Sequence, residues 1–221
     1  YAFERIGEIP FAFSGNPELK PERIATADAQ LFYIRSRFQA AATYFHSRQK
    51  DLIVEGDGTY VNRSAQRFQG VELETKYRPL TALELTGSYA FQTNEGDNGV
   101  ANVSLMPSHA LKAGAAYRSP RGITLGVFNT FHSRSYDTAI NNPERRGVNP
   151  PARAVSLLSA NVSVDLARLG GWHVPYGVSV DLYANNLLNR PVYYPDFFGE
   201  TVNSIPGRPG RAWYGQLRFT Y

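Results

Sequence analysis

The sequence predicts an all-β chain: about nine strands of an antiparallel transmembrane β-barrel. Three observations carry that expectation. Apolar and polar residues alternate with period two through most of the chain, which puts neighbouring side chains on opposite faces of a sheet. The runs are about 11–14 residues long, against the usual five or six of a strand, and long enough to cross a bilayer at a tilt. The connectors alternate short and long, as periplasmic turns and extracellular loops do in outer-membrane barrels.

Residues 1–23 read as a loop. Pro17 and Pro21 lack the ladder donor and stop pairing just before a first strand at about 24–35. A tight connection near 36 leads to a second strand at about 37–49. The third, about 66–77, sets Val71, Leu73, Thr75 and Tyr77 against Glu72, Glu74 and Lys76. After the turn Arg78-Pro-Leu-Thr81 the fourth, about 81–93, sets Leu83, Leu85, Gly87, Tyr89 and Phe91 against Glu84, Thr86, Ser88 and Gln92. Two such runs across a short turn make an antiparallel hairpin. The pattern recurs at about 108–118 and 122–135, joined by a turn at 119–121, then at about 154–166, 177–188 and 211–221. The stretch 167–176 reads as another short connector; 50–65, 94–107, 136–153 and 189–210 read as long loops. Aromatics gather near strand ends, at Tyr44-Phe45, Tyr89 and Phe91, Phe128 and Phe131, and Trp213-Tyr214, where interface girdles sit. A soluble β-sandwich also alternates, but strand length and these aromatics favour the barrel.

Composition narrows the function. Of 221 residues 43% are hydrophobic and 19% charged, which argues for a folded chain over disorder. Lys plus Arg exceeds Asp plus Glu by 23 − 19 = +4, with the signs interspersed, unlike the basic face of a nucleic-acid binder. There is no cysteine, hence no disulfide framework, thiolate metal site or cysteine nucleophile. No run approaches the roughly 18 apolar residues of a membrane helix, and no 3.6-residue stripe stands out. The start Tyr1-Ala-Phe-Glu-Arg5 has neither the basic residues nor the apolar run of a leader. An odd strand count would start the chain outside the cell if it ends in the periplasm, whereas bacterial single-chain barrels have an even count. The expectation is therefore the C-terminal portion of a larger barrel, spanning 1–221 and cut inside an extracellular loop.

Three stretches carry a resemblance. Gly15-Asn-Pro-Glu-Leu-Lys-Pro-Glu22 resembles a segment that leads into a late strand of TonB-dependent outer-membrane receptors. Asn62, Gly70-Val-Glu-Leu-Glu74 and Pro107-Ser-His109 resemble the same family's successive strand starts, in the same order. Asn185-Asn-Leu-Leu-Asn-Arg190, Tyr193-Tyr194 and Gly207-Arg-Pro-Gly-Arg-Ala-Trp-Tyr214 resemble its penultimate and closing strands. The resemblance covers about residues 15–221 and is specific as an ordered set. It implies a 22-stranded barrel in the outer membrane of a Gram-negative cell, with a periplasmic C-terminus. It also implies an N-terminal plug bearing a TonB box, neither of which lies in this stretch, and no cofactor. The implied partners are outer-membrane lipid, a ferric siderophore or similar small ligand, the plug and TonB complex, and the barrel assembly machinery. The closing alternation of Trp213, Leu217, Phe219 and Tyr221 resembles the signal which that machinery reads.

Candidate chemistry follows from the faces. Glu72, Glu74, Lys76, Glu84, Asp165, Asp181 and Arg218 would face a lumen, to touch a plug, line a polar path, or pair across strands as Lys76 would with a Glu. Glu72 and Glu74 have the spacing of an acid/base pair but no nucleophile or histidine beside them, so no catalytic residue is expected. Of the four histidines, His46, His109, His132 and His173, His109 and His132 could stand level as a metal pair, yet no third ligand has recognisable spacing. Asp57-Gly58 and Glu95-Gly-Asp-Asn-Gly99 read as plain loop tips, off the EF-hand pattern. Gly207-Arg-Pro-Gly210 leads into no helix and so is no phosphate loop. Ligand contact is expected in the long loops: Tyr60, Arg63 and Arg67; Tyr136, Arg145 and Arg146; Tyr193, Tyr194, Phe197, Phe198 and Arg208. Arginines and flat aromatic rings suit an anionic chelate. A barrel enzyme of lipase or protease type would need a Ser–His pair on one face, and the adjacent His132-Ser133 point to opposite faces. A small autonomous barrel or lectin would want an even strand count.

Overall fold

A computed structural model describes residues 15–56, 58–135, 149–170, 177–195 and 204–220. Nine strands form one antiparallel sheet: β1 (Arg23–Ile34), β2 (Phe38–Gly56), β3 (Thr59–Leu80), β4 (Leu83–Gly96), β5 (His109–Arg118), β6 (Ile123–His132), β7 (Val155–Asp165), β8 (Gly177–Asn185) and β11 (Ala212–Thr220). They pair in chain order, with β11 beside β8. A two-stranded ribbon, β9 (Tyr193–Tyr194) with β10 (Ile205–Pro206), stands apart from the sheet. Among the described residues β1 and β11 each pair on one side only, so the sheet is an arc of a barrel wall.

The alternation sets the two faces as expected. Phe32 and Ile34 of β1 and Phe128 and Thr130 of β6 line one hollow of about 660 Å³, so this face is concave. Lys76 reaches Glu84 across the β3–β4 pair at 3.1 Å on it, as the sequence led us to expect, and Arg78 meets the same carboxylate at 2.8 Å. The opposite face exposes Leu73, Leu111, Leu125, Val127, Leu182 and Leu217. Exposed aliphatic residues on one face of a long-stranded sheet are what lipid covers in a barrel. At the short-turn end of that face Tyr33, Phe38 and Tyr77 form a row with ring centroids 6.0 and 6.2 Å apart.

Three expectations are corrected. The stretch 50–65 is not a long loop: β2 and β3 continue as a tall hairpin that turns at Gly58, which has φ 77°. A bulge at Asp51, itself at φ 58°, shifts the register and hides the continuing alternation. Residues 166–170 form a one-turn helix, α1 (Leu166–Gly170), whose first N–H groups at Ala167 and Arg168 donate to Asp165 Oδ1. Asp165 is therefore a helix cap paired with Arg168 at 3.3 Å. Phe45, Phe128 and Tyr214 leave the girdles and point to the concave face. There Phe45 and Phe128 lie over Gly70 and Gly114, where a Cβ would meet the rings at 2.7 and 2.6 Å.

Candidate ligand-binding rim

The long-loop end of the sheet is held by asparagines. Asn186 and Asn189 both adopt left-handed backbone (φ 49° and 51°), a conformation Asn tolerates better than most residues. Asn186 is nearly buried; its side chain accepts from Arg190 N and donates to Arg190 O, both at 2.8 Å. Asn189 Oδ1 accepts from Arg211 N at 2.9 Å, which ties this turn to the start of β11. Gly210 packs under that amide; a Cβ there would lie 2.6 Å from Asn189 Oδ1. Gly207 does the same for Tyr194, whose ring lies where a Cβ would sit, 2.1 Å away. Arg208 Nε donates to the Tyr194 hydroxyl at 3.1 Å. Ser204, fully buried, donates to Pro150 O, and Asn149 Nδ2 donates to Ser204 O, each at 2.6 Å. The residues before β7 and those before β11 are thus sewn together.

These contacts border a recess of about 890 Å³ that opens on the concave side. Its walls carry three cations, Lys112, Arg153 and Arg208, with His132 and the tyrosines Tyr193, Tyr194 and Tyr214. Lys112 and Thr130 also line the mid-wall hollow, so the two spaces adjoin. Ligand pockets of this volume hold molecules of several hundred daltons. Cations and tyrosines there can pair with anionic oxygens and stack on flat groups.

The expected site residues divide. Tyr193, Tyr194 and Arg208 meet in the recess. Tyr60, Arg63 and Arg67 sit on β3 in the tall hairpin, away from it. Tyr136, Arg145, Arg146, Phe197, Phe198, His173 and Tyr221 lie outside the described residues. Trp213, Leu217 and Phe219 are exposed on the convex face. The alternation alone missed Lys112, His132, Arg153 and Tyr214, because strand parity gives the face and not which rim residues converge. His109 and His132 are no pair: His132 lies opposite Ala110 and lines the recess. His109 is on the convex face, where its Nδ1 bonds the Tyr89 hydroxyl at 2.8 Å and its ring packs on Phe91 at 5.0 Å. Ser133 Oγ accepts from His109 N, away from His132. Among the described residues no three His, Asp or Glu side chains cluster to hold a metal.

A second stitched region joins the Gly15–Glu22 segment to the hairpin. Asn62 accepts from Lys20 N at 2.7 Å and donates to Lys20 O and Asp51 O at 2.9 and 2.6 Å. Asn16 donates to Tyr60 O at 2.8 Å, and Ile53 N donates to Glu22 Oε1 at 2.9 Å.

Residues 2–187 match the family model described as TonB dependent receptor-like, beta-barrel. The curated relative "Heme/hemopexin utilization protein C" of Haemophilus influenzae (strain 86-028NP) is 24% identical over 215 residues, covering 87% of this chain and 29% of that protein. The ferripyoverdine receptor of the Pseudomonas aeruginosa outer membrane superposes with a TM-score of 0.70 at 15% identity, over 96% of this chain and 29% of that one. The FrpB iron transporter of Neisseria meningitidis gives 0.68 at 16% identity, over 94% and 32%. A copper transporter, OprC, gives 0.69 at 18% identity, over 94% and 32%. This chain spans about three tenths of the length of these relatives.

Proposed function

This chain belongs to the TonB-dependent receptor β-barrel family, and we propose that it forms the C-terminal wall of an outer-membrane receptor that takes up an anionic ferric chelate of the siderophore class. The long-loop end faces outward and the C-terminus lies in the periplasm. The rim recess receives the ligand, and the adjoining hollow continues the path inward beside a plug that couples to TonB. The strand that ends in Trp213, Leu217 and Phe219 serves as the signal for barrel assembly. Residues 1–23 join from an extracellular loop.

The observation that carries this reading is the convergence of Lys112, Arg153 and Arg208 with three tyrosines in one recess. Three cations around aromatic faces suit a chelate whose net charge is negative and whose ligating groups are flat. The known structures alike in fold include a copper transporter, a ferripyoverdine receptor and an iron transporter, so fold alone does not choose the cargo. Heme is a second reading, supported by the curated relative's name and by His132 in the recess wall, since imidazole binds iron. The test is equilibrium binding to the complete receptor carrying this segment. Ferric enterobactin and hemin serve as probes, with the variants Arg208→Ala, Arg153→Ala and His132→Ala. The siderophore reading expects each arginine variant to weaken enterobactin binding about tenfold, near the loss of one charge-assisted contact, with little effect of His132→Ala. Tight hemin binding lost in His132→Ala would replace it with heme.

A further inference from the structure

Four segments line the short-turn end of the wall: residues 35–37, 78–82, 118–122 and 165–170. Each hangs from the next by a backbone bond. Arg78 N donates to Arg37 O, Arg118 N to Ala82 O and Asp165 N to Gly122 O, all at 2.8 Å. Gly122, at φ 81°, presses against α1, where a Cβ would lie 2.8 Å from that of Arg168. The segments thus form one ledge on a fixed backbone. It carries Arg35, Arg37, Arg78, Arg118, Arg121 and Arg168, all exposed, and no lysine. Two carboxylates answer these six arginines: Glu84 meets Arg78 and Asp165 meets Arg168. Among the described residues no carboxylate comes within ion-pair distance of Arg35, Arg37, Arg118 or Arg121.

Strand parity decides which way these cations lean. Arg37 shares the parity of Gln39, and Arg118 that of Lys112 and Gly114, which line the concave hollow. Arg78 bonds Glu84 on that same face. Arg35 leans the other way, over the Tyr33 ring at 5.8 Å. Most of the charge therefore lies on the inner lip and underside of the wall, off the surface that lipid covers. Successive segments are two strands apart, about 10 Å along the arc. A guanidinium forks onto a carboxylate through two parallel bonds, but one exposed pair contributes little, so binding here needs several engaged at once. We propose that the ledge docks a polymer bearing repeated free carboxylates, the peptide-bearing cell wall on the periplasmic side. The inference rests on the inward orientation of the short-turn end proposed above, and not on the identity of the chelate.

The test is co-sedimentation of the complete receptor, plug included, with purified peptidoglycan sacculi in mild detergent. Native sacculi are compared with sacculi whose carboxylates have been amidated. Retention falls about tenfold on amidated sacculi, and as far on native sacculi in Arg37→Gln/Arg118→Gln/Arg121→Gln. Heat-modifiable gel mobility shows that the barrel is folded. Arg121→Glu alone, at a turn tip, is the second variant and lowers retention about threefold. Arg48→Gln removes an arginine that stands opposite Arg67 at the long-loop end, and leaves retention unchanged. Retention undiminished in the triple variant or on amidated sacculi overturns the proposal. An equal loss in Arg48→Gln also overturns it, since that would mean unspecific charge attraction. The receptor in nanodiscs containing phosphatidylglycerol keeps its hold on sacculi; retention lost there overturns the proposal in favour of a lipid surface. Labelling of Arg121→Cys by an impermeant maleimide outside intact cells would overturn the orientation itself. None of these readings uses the chelate, so failure of this surface and failure of the siderophore reading remain distinguishable.

Discussion

The two ends of the sheet are closed by different chemistry. At the short-turn end the chain closes mostly on near neighbours: Arg35 and Phe38 exchange N–H···O bonds of 2.8 and 3.3 Å, Ser119 with Gly122 closes the β5–β6 turn, and the side-chain acceptors Ser119 Oγ and Asp165 Oδ1 take N–H groups only two or three residues away. At the long-loop end side chains take over across long separations. Asn16 reaches Tyr60, Asn62 reaches Lys20, Asn149 reaches Ser204, and Asn189 reaches Arg211. A short turn satisfies its own backbone, whereas an irregular segment packed on a wall leaves buried N–H and C=O groups that a side-chain amide must meet. The recess exists at the end where this second solution operates.

The largest effect is expected at Asn186. Alanine there removes both bonds to Arg190 in a nearly buried place. At about 1 kcal/mol per bond plus the penalty of stranded backbone groups, the cost is about 2–4 kcal/mol. Urea unfolding of the receptor in detergent measures it, and a cost no greater than that of an alanine at Ser119 would erase the contrast between the ends.

Gly207 sharpens the contrast from the packing side. Gly207→Ala forces Tyr194 off the backbone at a cost of about 1–3 kcal/mol and uncouples Arg208 from the Tyr194 hydroxyl. A double-mutant cycle with Tyr194→Ala should recover most of that loss. Strict additivity would mean the ring does not occupy the space the glycine leaves.

Asn62 comes next, because its surroundings are more exposed. Asn62→Ala should cost about 1–2 kcal/mol and speed hydrogen exchange at Lys20 N, with Ile53 N following as the segment loosens. Exchange unaltered at both amides would show that Asn16 alone holds it. Glu84→Gln is expected to leave the unfolding midpoint unmoved. Lys76 and Arg78 are exposed and the Glu84 carboxylate between them is partly so, and ion pairs in contact with water contribute little. A clear drop there would show that the short-turn end depends on side chains after all.

Parts of this were legible in the residues. The alternation Leu83, Leu85, Gly87, Tyr89, Phe91 assigns faces without any tertiary knowledge, and the Lys76–Glu84 pair follows from it. The tall hairpin was hidden because Asp51-Leu52-Ile53-Val54 interrupts the period where the bulge slips the register by one. The helix after Asp165 was hidden because a single turn has too few residues to display a 3.6-residue stripe. The motif asparagines stood out as a pattern, but their partners lie up to 44 residues away and no local rule names them.

The sequence alone determined that this chain is a wall of long antiparallel strands with one apolar and one polar face. Side chains of a strand must alternate, and that pattern is written residue by residue. Only the tertiary structure decided that Gly207 makes room for the Tyr194 ring, that Arg48 stands against Arg67, and that Lys112, Arg153, Arg208 and His132 share one recess. Those juxtapositions depend on register and on how distant segments fold over the rim, and both are set by contacts between residues far apart in the chain.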